Sequence, residues 1–285
     1  MSLSILTNIS AMDTHRNLVA SQNAVSTAMQ RLSSGLRINT AADDAAGYAI
    51  SQGLTSQVNG FDQASRNVGD AVSMVQTAES SLNNTQSMLQ RVRELAVQYQ
   101  NGDLSSTDKT DIQNEVNQLT QEVDRQRGAV TFNGINLLNG TAGGTNGVTF
   151  QVGANSGDTL TASFADVEGS TGLGVTGFSW SQAASGGAVF DLSQANALST
   201  LDTAIGNISN QAATLGAVQN RLQYTSDAIS STKENLSASN SRIQDVDMAS
   251  EMTTLTQQQI LQQAGTAMLA QANQAPQNVL SLLRQ

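Results

Sequence analysis

Few residues of this chain have side chains that could do chemistry, and they are far apart. Cysteine is absent, which excludes thiolate catalysis, disulfides and cysteine-bound metal. The single histidine, His15, cannot form a two-histidine metal site, and the chain has no H-E-x-x-H segment of the kind that zinc proteases use. We therefore expect no catalytic residues, no metal and no cofactor.

Two short motifs resemble functional sites but lack the context that such sites need. Residues 172–177 satisfy the G-x-G-x-x-G pattern of dinucleotide-binding loops, yet residues 178–181 do not open a helix and no βαβ unit surrounds them. Asp43 and Asp44 form an adjacent carboxylate pair, but neighbours on a helix do not face one another. We expect these aspartates to cap the start of a helix rather than to act as acid and base.

The composition argues against two classes of partner. The 285 residues carry a net charge of −10, and Lys109 and Lys233 are the only lysines. No basic stripe is available to neutralise phosphates or anionic lipid, so we expect no nucleic-acid binding and no membrane insertion. Hydrophobic residues make up 39% of the chain but aromatic residues only 4%, a balance that favours long helices over a compact mixed core.

The first residues give no sign of a cleaved secretion signal. Residues 1–6 lack the basic start and the continuous apolar run of such a peptide, and no run of about 18 apolar residues could span a bilayer. Two expectations stay open at this point. The protein is cytoplasmic, or it is exported by a route that cleaves no signal.

A seven-residue apolar period is the strongest signal in the sequence. The first series consists of Leu54, Phe61, Val68, Val75, Leu82, Leu89 and Ala96. The second series consists of Leu201, Ile208, Leu215, Leu222, Ile229, Leu236 and Ile243. We predict one long helix that begins near Asp43 or Asp44 and a second long helix over residues 193–243.

A shorter amphipathic stretch lies between the two series. Ile112, Val116, Leu119 and Val123 recur at helical spacing before Gly128. Three rods with matching seams predict a mainly α fold, a long antiparallel helical bundle or coiled coil built from both ends of the chain. A generic coiled coil fits the period equally well, but charged residues are only 13% and the outer faces carry Gln, Asn, Ser and Thr, which favours packing against more protein.

The chain changes character over residues 140–192. Glycine and threonine predict a loop at residues 140–147, and alternating runs at residues 148–152 and 160–164 predict short strands. We expect a small β-rich insert. Because its ends must meet between the rods, we place it at the outer tip of the bundle.

Both ends of the chain are amphipathic and nearly uncharged. Residues 1–38 and 248–285 place Leu, Ile, Val and Met at helical spacing, which predicts two helical arms that pair. A two-helix arm leaves half of its surface exposed and does not offset the backbone entropy lost on ordering it. We expect the arms to be largely disordered in the free subunit and to fold when neighbouring subunits cover their outer faces.

Several segments closely resemble the signatures of one protein family. Residues 32–39 (Leu-Ser-Ser-Gly-Leu-Arg-Ile-Asn), followed by residues 43–47 (Asp-Asp-Ala-Ala-Gly), resemble the N-terminal signature of bacterial flagellins. The further matching segments are residues 90–98, 132–134, 260–265 and 278–284. The match covers residues 1–139 and 196–285 in order, and by it the chain is identified as a member of the flagellin family.

The resemblance implies a structural subunit that self-assembles into the bacterial flagellar filament used for motility, and not an enzyme. It assigns residues 1–42 and 244–285 to terminal arms in the inner tube, residues 43–139 and 193–243 to a helical rod bundle, and residues 140–192 to a short surface insert. It also implies secretion through the flagellar type III apparatus into an extracellular filament. The implied partners are copies of the chain itself, a cytoplasmic flagellin export chaperone, and the flagellar cap and hook–filament junction proteins.

The same resemblance implies recognition by the vertebrate Toll-like receptor 5. The matching patch on the long rod and the following helix comprises Gln90, Arg91, Leu95 and Glu115. That face also packs between subunits in filaments of this family, and Leu95 fits a core position equally well. Residues 282–284 are similar to a segment that cytosolic inflammasome receptors sense, although their first role is expected to be packing.

Apolar residues of the arms are expected to carry assembly as packing residues. They are Ile5, Ile9, Leu32, Leu36, Leu261, Met268, Val279, Leu282 and Leu283. Gly35 is expected to turn the chain out of the arm, toward the linker before Asp43. The alternatives are a hook–filament junction protein, which shares the arms but not the full rod signatures, a secreted pore-former, which needs a continuous apolar hairpin, and an enzyme, which needs a polar constellation.

Overall fold

The computed structural model describes residues 8–143, 147–164, 166–167 and 190–283, with the backbone alone for residues 275–283. The helices are α1 (Ile9–Ser34), α2 (Ala45–Tyr99), α3 (Ser106–Ala129), α4 (Ala197–Gln244) and α5 (Met248–Leu283). The strands are β1 (Thr131–Phe132), β2 (Ile135–Asn136), β3 (Val148–Gln151) and β4 (Thr159–Ala162). The predicted mainly α fold with long helices at both ends and a small strand insert is confirmed.

The chain divides into two compact units. The arm unit comprises residues 1–57 and 234–285, and the rod unit comprises residues 58–233. The division predicted at residues 42 and 244 follows the layers of an assembled filament. A single chain does not test it, and it stays a prediction.

The core of the rod unit is the seam that the seven-residue period predicts. Members of the first series from Val68 to Ala96, and of the second from Leu201 to Ile229, are at most 4% exposed. A strict period of seven keeps one stripe of each helix turned toward its partner, so both stripes are buried in this unit, apart from the half-buried Phe61 at one end of the first. The two predicted long helices are confirmed.

Two ion pairs define the antiparallel register of α2 and α4 in the rod unit. Arg93 Nε lies 2.5 Å from Asp202 Oδ1, and Lys233 Nζ lies 2.5 Å from Asp62 Oδ1. The two pairs are separated by the same number of residues on each helix. Because the side chains are about half exposed, the pairs report the register more than they stabilise it.

Helix α3 begins with a reciprocal cap. The Asp108 amide donates to Ser105 Oγ at 3.2 Å, and the Ser105 amide donates to Asp108 Oδ2 at 3.0 Å. Its buried stripe comprises Ile112, Val116, Thr120 and Val123. The predicted third helix is confirmed, with Leu119 only half-buried at the edge of that stripe.

A tight hairpin that the strand pattern did not predict follows α3. Strands β1 and β2 pair Phe132 with Ile135, which leaves Asn133 and Gly134 as a two-residue turn. Both turn residues have positive φ, 49° and 79°, as a type I′ turn requires. The hairpin is followed by Leu137 and Leu138, which are buried in the core.

The insert forms an antiparallel hairpin from β3 and β4, in which Val148 pairs with Ala162 and Gln151 with Thr159. The two predicted strands are therefore confirmed. Asn67 Nδ2 on α2 donates to the Gln151 carbonyl at 3.0 Å. This contact lies far along α2 from its outer end at Tyr99.

The placement of the insert at the outer tip is thus wrong for residues 147–164 and 166–167, while residues 165 and 168–189 lie outside the described residues. The hairpin and the segment after it carry Leu160, Phe164 and Val167, each at most 5% exposed in the core of the rod unit. Burial of these side chains against the rods is more favourable than projection into solvent. Gly60 admits the close approach, because a Cβ there would lie 2.9 Å from the Ala154 Cβ.

Truncation of the seam is expected to cost stability. Leu215 is fully buried, so Leu215→Ala should lower the free energy of unfolding by about 2–5 kcal/mol. Tyr224 on the same helix is 76% exposed, and Tyr224→Ala should change it by no more than about 0.5 kcal/mol. Urea unfolding followed by circular dichroism measures both, and equal losses would contradict the assignment of the core.

The α3 cap makes one carboxyl unusually acidic. Hydrogen bonds from the Ser105 hydroxyl and backbone lower the pKa of Asp108. The cap is therefore fully present above the ordinary carboxyl pKa and is lost as the pH falls through the lowered pKa. An NMR titration of the Asp108 carboxyl carbon should show this shift, and Ser105→Ala should return the pKa toward its ordinary value. An identical pKa in the two proteins would refute the cap.

Candidate assembly surfaces

Helices α1 and α5 form an antiparallel pair within the arm unit. A line of buried and half-buried residues recurs along α1 every three or four positions: Ala11, Thr14, Leu18, Ser21, Val25, Ala28 and Leu32. The matching half-buried line on α5 is Glu251, Leu255, Gln258, Gln262, Gly265, Leu269 and Ala272. We call these two lines the inter-arm seam. Their spacing is that of a coiled coil.

The inter-arm seam is poor in large apolar side chains. It holds five, Leu18, Val25, Leu32, Leu255 and Leu269, and its other positions are small or polar. The outer face of the described arm residues holds nine exposed ones: Ile9, Met12, Val19, Met29, Met248, Met252, Ile260, Leu261 and Met268. More large apolar side chains thus point away from the seam than into it, which is typical of a surface that contacts more protein.

The predicted assembly residues fall into three groups. Ile9, Leu261 and Met268 lie on the exposed outer face. Leu32 and Leu36 are half-buried, Leu32 on the inter-arm seam. Ile5 and the side chains of Val279, Leu282 and Leu283 lie outside the described residues, as do the G-x-G-x-x-G segment at residues 172–177 and Arg284.

Gly35 ends α1. Its φ is +74°, a left-handed conformation that suits glycine, and its amide donates to the Arg31 carbonyl at 2.9 Å. The chain then leaves the arm through residues 35–44, which we call the N-terminal linker.

The N-terminal linker pairs with the short link between α4 and α5, a contact that the sequence pattern did not reveal. The Val246 amide donates to the Gly35 carbonyl at 3.0 Å, and the Arg37 amide donates to the Gln244 carbonyl at 2.6 Å. The Arg37 guanidinium also donates to the Ile243 carbonyl at 2.6 Å. The two strands of chain that join the arms to the long helices are therefore held side by side.

Asp43 and Asp44 are neighbours in the sequence, but their carboxylates accept hydrogen bonds from different segments. Asp44 Oδ1 accepts from the Gly47 amide at 2.9 Å, the geometry of an N-cap for α2. Asp43 Oδ2 accepts from the Asn39 and Thr40 amides and from the Thr40 hydroxyl. The Thr40 backbone and hydroxyl hydrogen bonds lower the pKa of Asp43. The carboxylate therefore stays charged while it closes the linker turn.

The predicted receptor patch is only partly on the surface. Arg91 Nη2 donates to Glu115 Oε1 at 2.9 Å and Arg91 Nη1 to Glu94 Oε2 at 3.2 Å, which raises the pKa of Arg91. Gln90 is exposed beside them. Leu95 is 2% exposed and belongs to the core. Its inclusion in the exposed patch is corrected, because Leu95 lies one turn from the buried Val92 on the core side of α2.

Two family models cover most of the chain. The model described as the bacterial flagellin N-terminal helical region matches residues 5–143, and the one described as the bacterial flagellin C-terminal helical region matches residues 198–283. The chain belongs to the bacterial flagellin family. The first match spans α1 to the start of the insert, and the second spans α4 and α5.

Similar proteins extend over the whole of this flagellin. It is 47% identical to the flagellar filament 33 kDa core protein of Treponema phagedenis, over 97% of this chain and 98% of the relative. It is 43% identical to the flagellin of Bacillus subtilis strain 168, with the same coverage. The protein is a structural subunit of the bacterial flagellar filament, as the sequence predicts.

A solved structure shares the fold. The structure of a putative flagellar hook-associated protein from Vibrio parahaemolyticus matches with a TM-score of 0.56 at 16% identity, over 71% of this chain and 100% of the other. Within the described ranges, no helix is long and apolar enough to cross a membrane. The same residues contain no cluster of three or more acidic, histidine or cysteine side chains placed to hold a metal ion.

Proposed function

We propose that this flagellin polymerises through the outer face of its arms, which neighbouring copies of the same chain cover in the filament. The observation that carries the proposal is the uneven distribution of large apolar side chains, five in the inter-arm seam and nine on the outer face. In this arrangement the arms of many subunits form the inner tube, the rod bundles surround it, and the insert contributes to the surface.

The charge of the arms favours a second copy as the partner. Over residues 9–34 and 248–274 the formally charged side chains are Asp13, Arg16, Arg31 and Glu251. Asp13 and Arg16 pair with one another on α1, and Arg31 lies 3.9 Å from Glu251. A face with so little free charge offers nothing to a charged partner, and it is complementary to an equally apolar face.

We further infer that the arms complete their folding on polymerisation. Full burial of one large apolar side chain stabilises by about 1.5–3 kcal/mol, and these contributions are missing from the outer face of a lone subunit. The inter-arm seam alone buries too few large apolar side chains to offset the backbone entropy that two long helices lose on folding. The arms of the free subunit are then largely disordered, which also suits export of an unfolded chain.

Several finer roles extend the same proposal. Secretion to an extracellular filament would use the type III apparatus without a cleaved signal. A cytoplasmic chaperone would cover α5 before export, and the cap and hook–filament junction proteins would meet the arm faces at the filament ends. The alternative is that the chain is itself a hook–filament junction protein, which would form short rings or no homopolymer.

The exposed patch on the rod unit supports a second interaction, with Toll-like receptor 5. Gln90, Arg91 and Glu115 share one surface, and the two ion pairs of Arg91 order its guanidinium there. An ordered guanidinium loses less side-chain entropy when it binds. The proposed patch comprises these three residues without Leu95.

Polymerisation tests the main proposal. Met268→Glu places a carboxylate on the outer face and should abolish filaments after salt-induced assembly, because the charge would be buried without a partner. Met268→Leu keeps the apolar contact and should form long filaments. Electron microscopy shows whether each variant forms filaments, and amide exchange over residues 8–34 and 248–274 should slow only in the protein that polymerises.

Deletion of residues 278–285 should likewise stop assembly.

Normal filaments from Met268→Glu, or arms already protected from exchange in the free subunit, would contradict this account. Short rings from the unaltered chain would instead favour the junction protein.

Receptor signalling by the monomer tests the second interaction. Arg91→Asp should reduce Toll-like receptor 5 signalling in reporter cells by about tenfold or more, because it removes an ordered cation from the contact. Arg125→Asp is a matched control, since Arg125 is exposed and also pairs with a glutamate three positions earlier, Glu122. Undiminished signalling from Arg91→Asp, or equal losses from both variants, would argue against the patch.

A further inference from the structure

We propose that Asn8 and Pro276 fix the axial register of the two arms. Pro276 is the only proline of the chain and lies inside α5. A proline has no amide hydrogen, so the carbonyl four residues earlier loses its helical donor. That carbonyl belongs to Ala272, and Asn8 Nδ2 donates to it at 2.8 Å.

The inter-arm seam needs such a device. Its two lines repeat every seven residues, so a slide of one heptad, about 10.5 Å, again places seam against seam. With mostly small and polar members, the seam has few large side chains that would clash in the slipped position. Apolar packing alone therefore distinguishes weakly between registers, as in flat or uniform pairings elsewhere in proteins.

Asn8 is held where it can act. Its Oδ1 accepts from the Ala11 amide at 3.0 Å, so the residue is the N-cap of α1. Its Nδ2 remains available, and it reaches across to α5. One side chain thus satisfies a free amide at the start of one helix and a free carbonyl within the other.

The free carbonyl makes the position specific. In a register slipped by one heptad Asn8 would face residue 265 or 279 of α5 in place of residue 272. The carbonyls at those two positions have amide-bearing residues four places on, Leu269 and Leu283, and are already used within the helix. The hydrogen bond from Asn8 Nδ2 is therefore most stabilising at the Ala272 carbonyl, because without it this carbonyl would have no donor, and an unsatisfied carbonyl is costly to bury.

Two further contacts agree with the same register. Leu18 packs over Gly265, where an added Cβ would lie 3.7 Å from the Leu18 Cβ. Arg31 Nη1 lies 3.9 Å from Glu251 Oε1. A slide of one heptad would bring Gln258 or Ala272 to Leu18 and would separate Arg31 from Glu251.

The inference deepens the proposed function and rests on it, because the arms are taken to be folded in the filament. A single register gives every subunit the same alignment of its outer face. Copies slipped by a heptad would present differently placed apolar side chains to their neighbours.

Disulfide reporters measure the register, since the chain has no cysteine of its own. Leu18→Cys with Gly265→Cys reports the native register, because a Cβ separation of 3.7 Å suits a disulfide. Leu18→Cys with Gln258→Cys, and Leu18→Cys with Ala272→Cys, report slides of one heptad in either direction. Filaments of each chain are oxidised, and non-reducing gels separate intrachain from interchain products.

The native reporter should form its intrachain disulfide at least about tenfold faster than either slipped reporter. Asn8→Ser keeps a good N-cap but is too short to reach Ala272, and it should lower this ratio by about tenfold, the size expected of one net hydrogen bond. Pro276→Ala restores the helical donor and should lower it similarly. The two changes together should do no more than either alone, because they remove one interaction.

Asn17→Ser, at an exposed position of α1, is the matched control and should leave the ratio unchanged. A ratio unaffected by Asn8→Ser, or effects of Asn8→Ser and Pro276→Ala that add fully, would overturn the proposal. A reporter that does not polymerise alone is assembled with an excess of the unaltered chain, which has no cysteine, so that its arms are folded in a filament when the ratio is measured. Equal ratios in those mixed filaments would overturn the proposal too. A failure of the proposed assembly surface is detected separately, by whether Met268→Glu still forms filaments.

Discussion

The buried apolar seam between α2 and α4 is the interaction on which the rod unit depends. Its members recur every seven residues, so two helices of this length stay in contact without a break. Helix α3 and the two short hairpins have too little apolar surface to fold by themselves, and they are ordered because the paired helices give them a surface. The arm unit uses the same spacing with smaller and more polar members, and leaves its larger apolar side chains outside.

Much of this fold is readable from the sequence because a seven-residue period depends on spacing alone. The β1–β2 turn was not predicted, although the sequence contains its signal, because Asn133-Gly134 between short apolar runs is typical of a hairpin. The position of the insert is not readable in this way. It depends on where Leu160 and Phe164 find room on the rods, and on a glycine at position 60 that admits the turn, neither of which a local pattern contains.

The assembly surfaces are readable in part. Apolar positions of the arms are visible in the sequence, but helical spacing does not say which of them face the partner arm and which face outward. Leu95 illustrates the same limit, because it is buried in the core while Glu94, the residue just before it on α2, is exposed. The hydrogen bond from Asn8 to Ala272 joins residues 264 positions apart. The proline at position 276 indicates that a carbonyl of α5 lacks its helical donor, but it does not indicate which residue supplies another.

The paired linkers give the arms a mechanical property. Backbone hydrogen bonds join Gly35 to Val246 and Arg37 to Gln244. The chain therefore enters and leaves the arm pair through two segments that are held together. A pull along either arm is then shared by both strands and reaches α2 and α4 at once, so a tensile load is divided between two covalent paths. The load is shared through backbone hydrogen bonds, so most of the side chains around the linkers can change without affecting it.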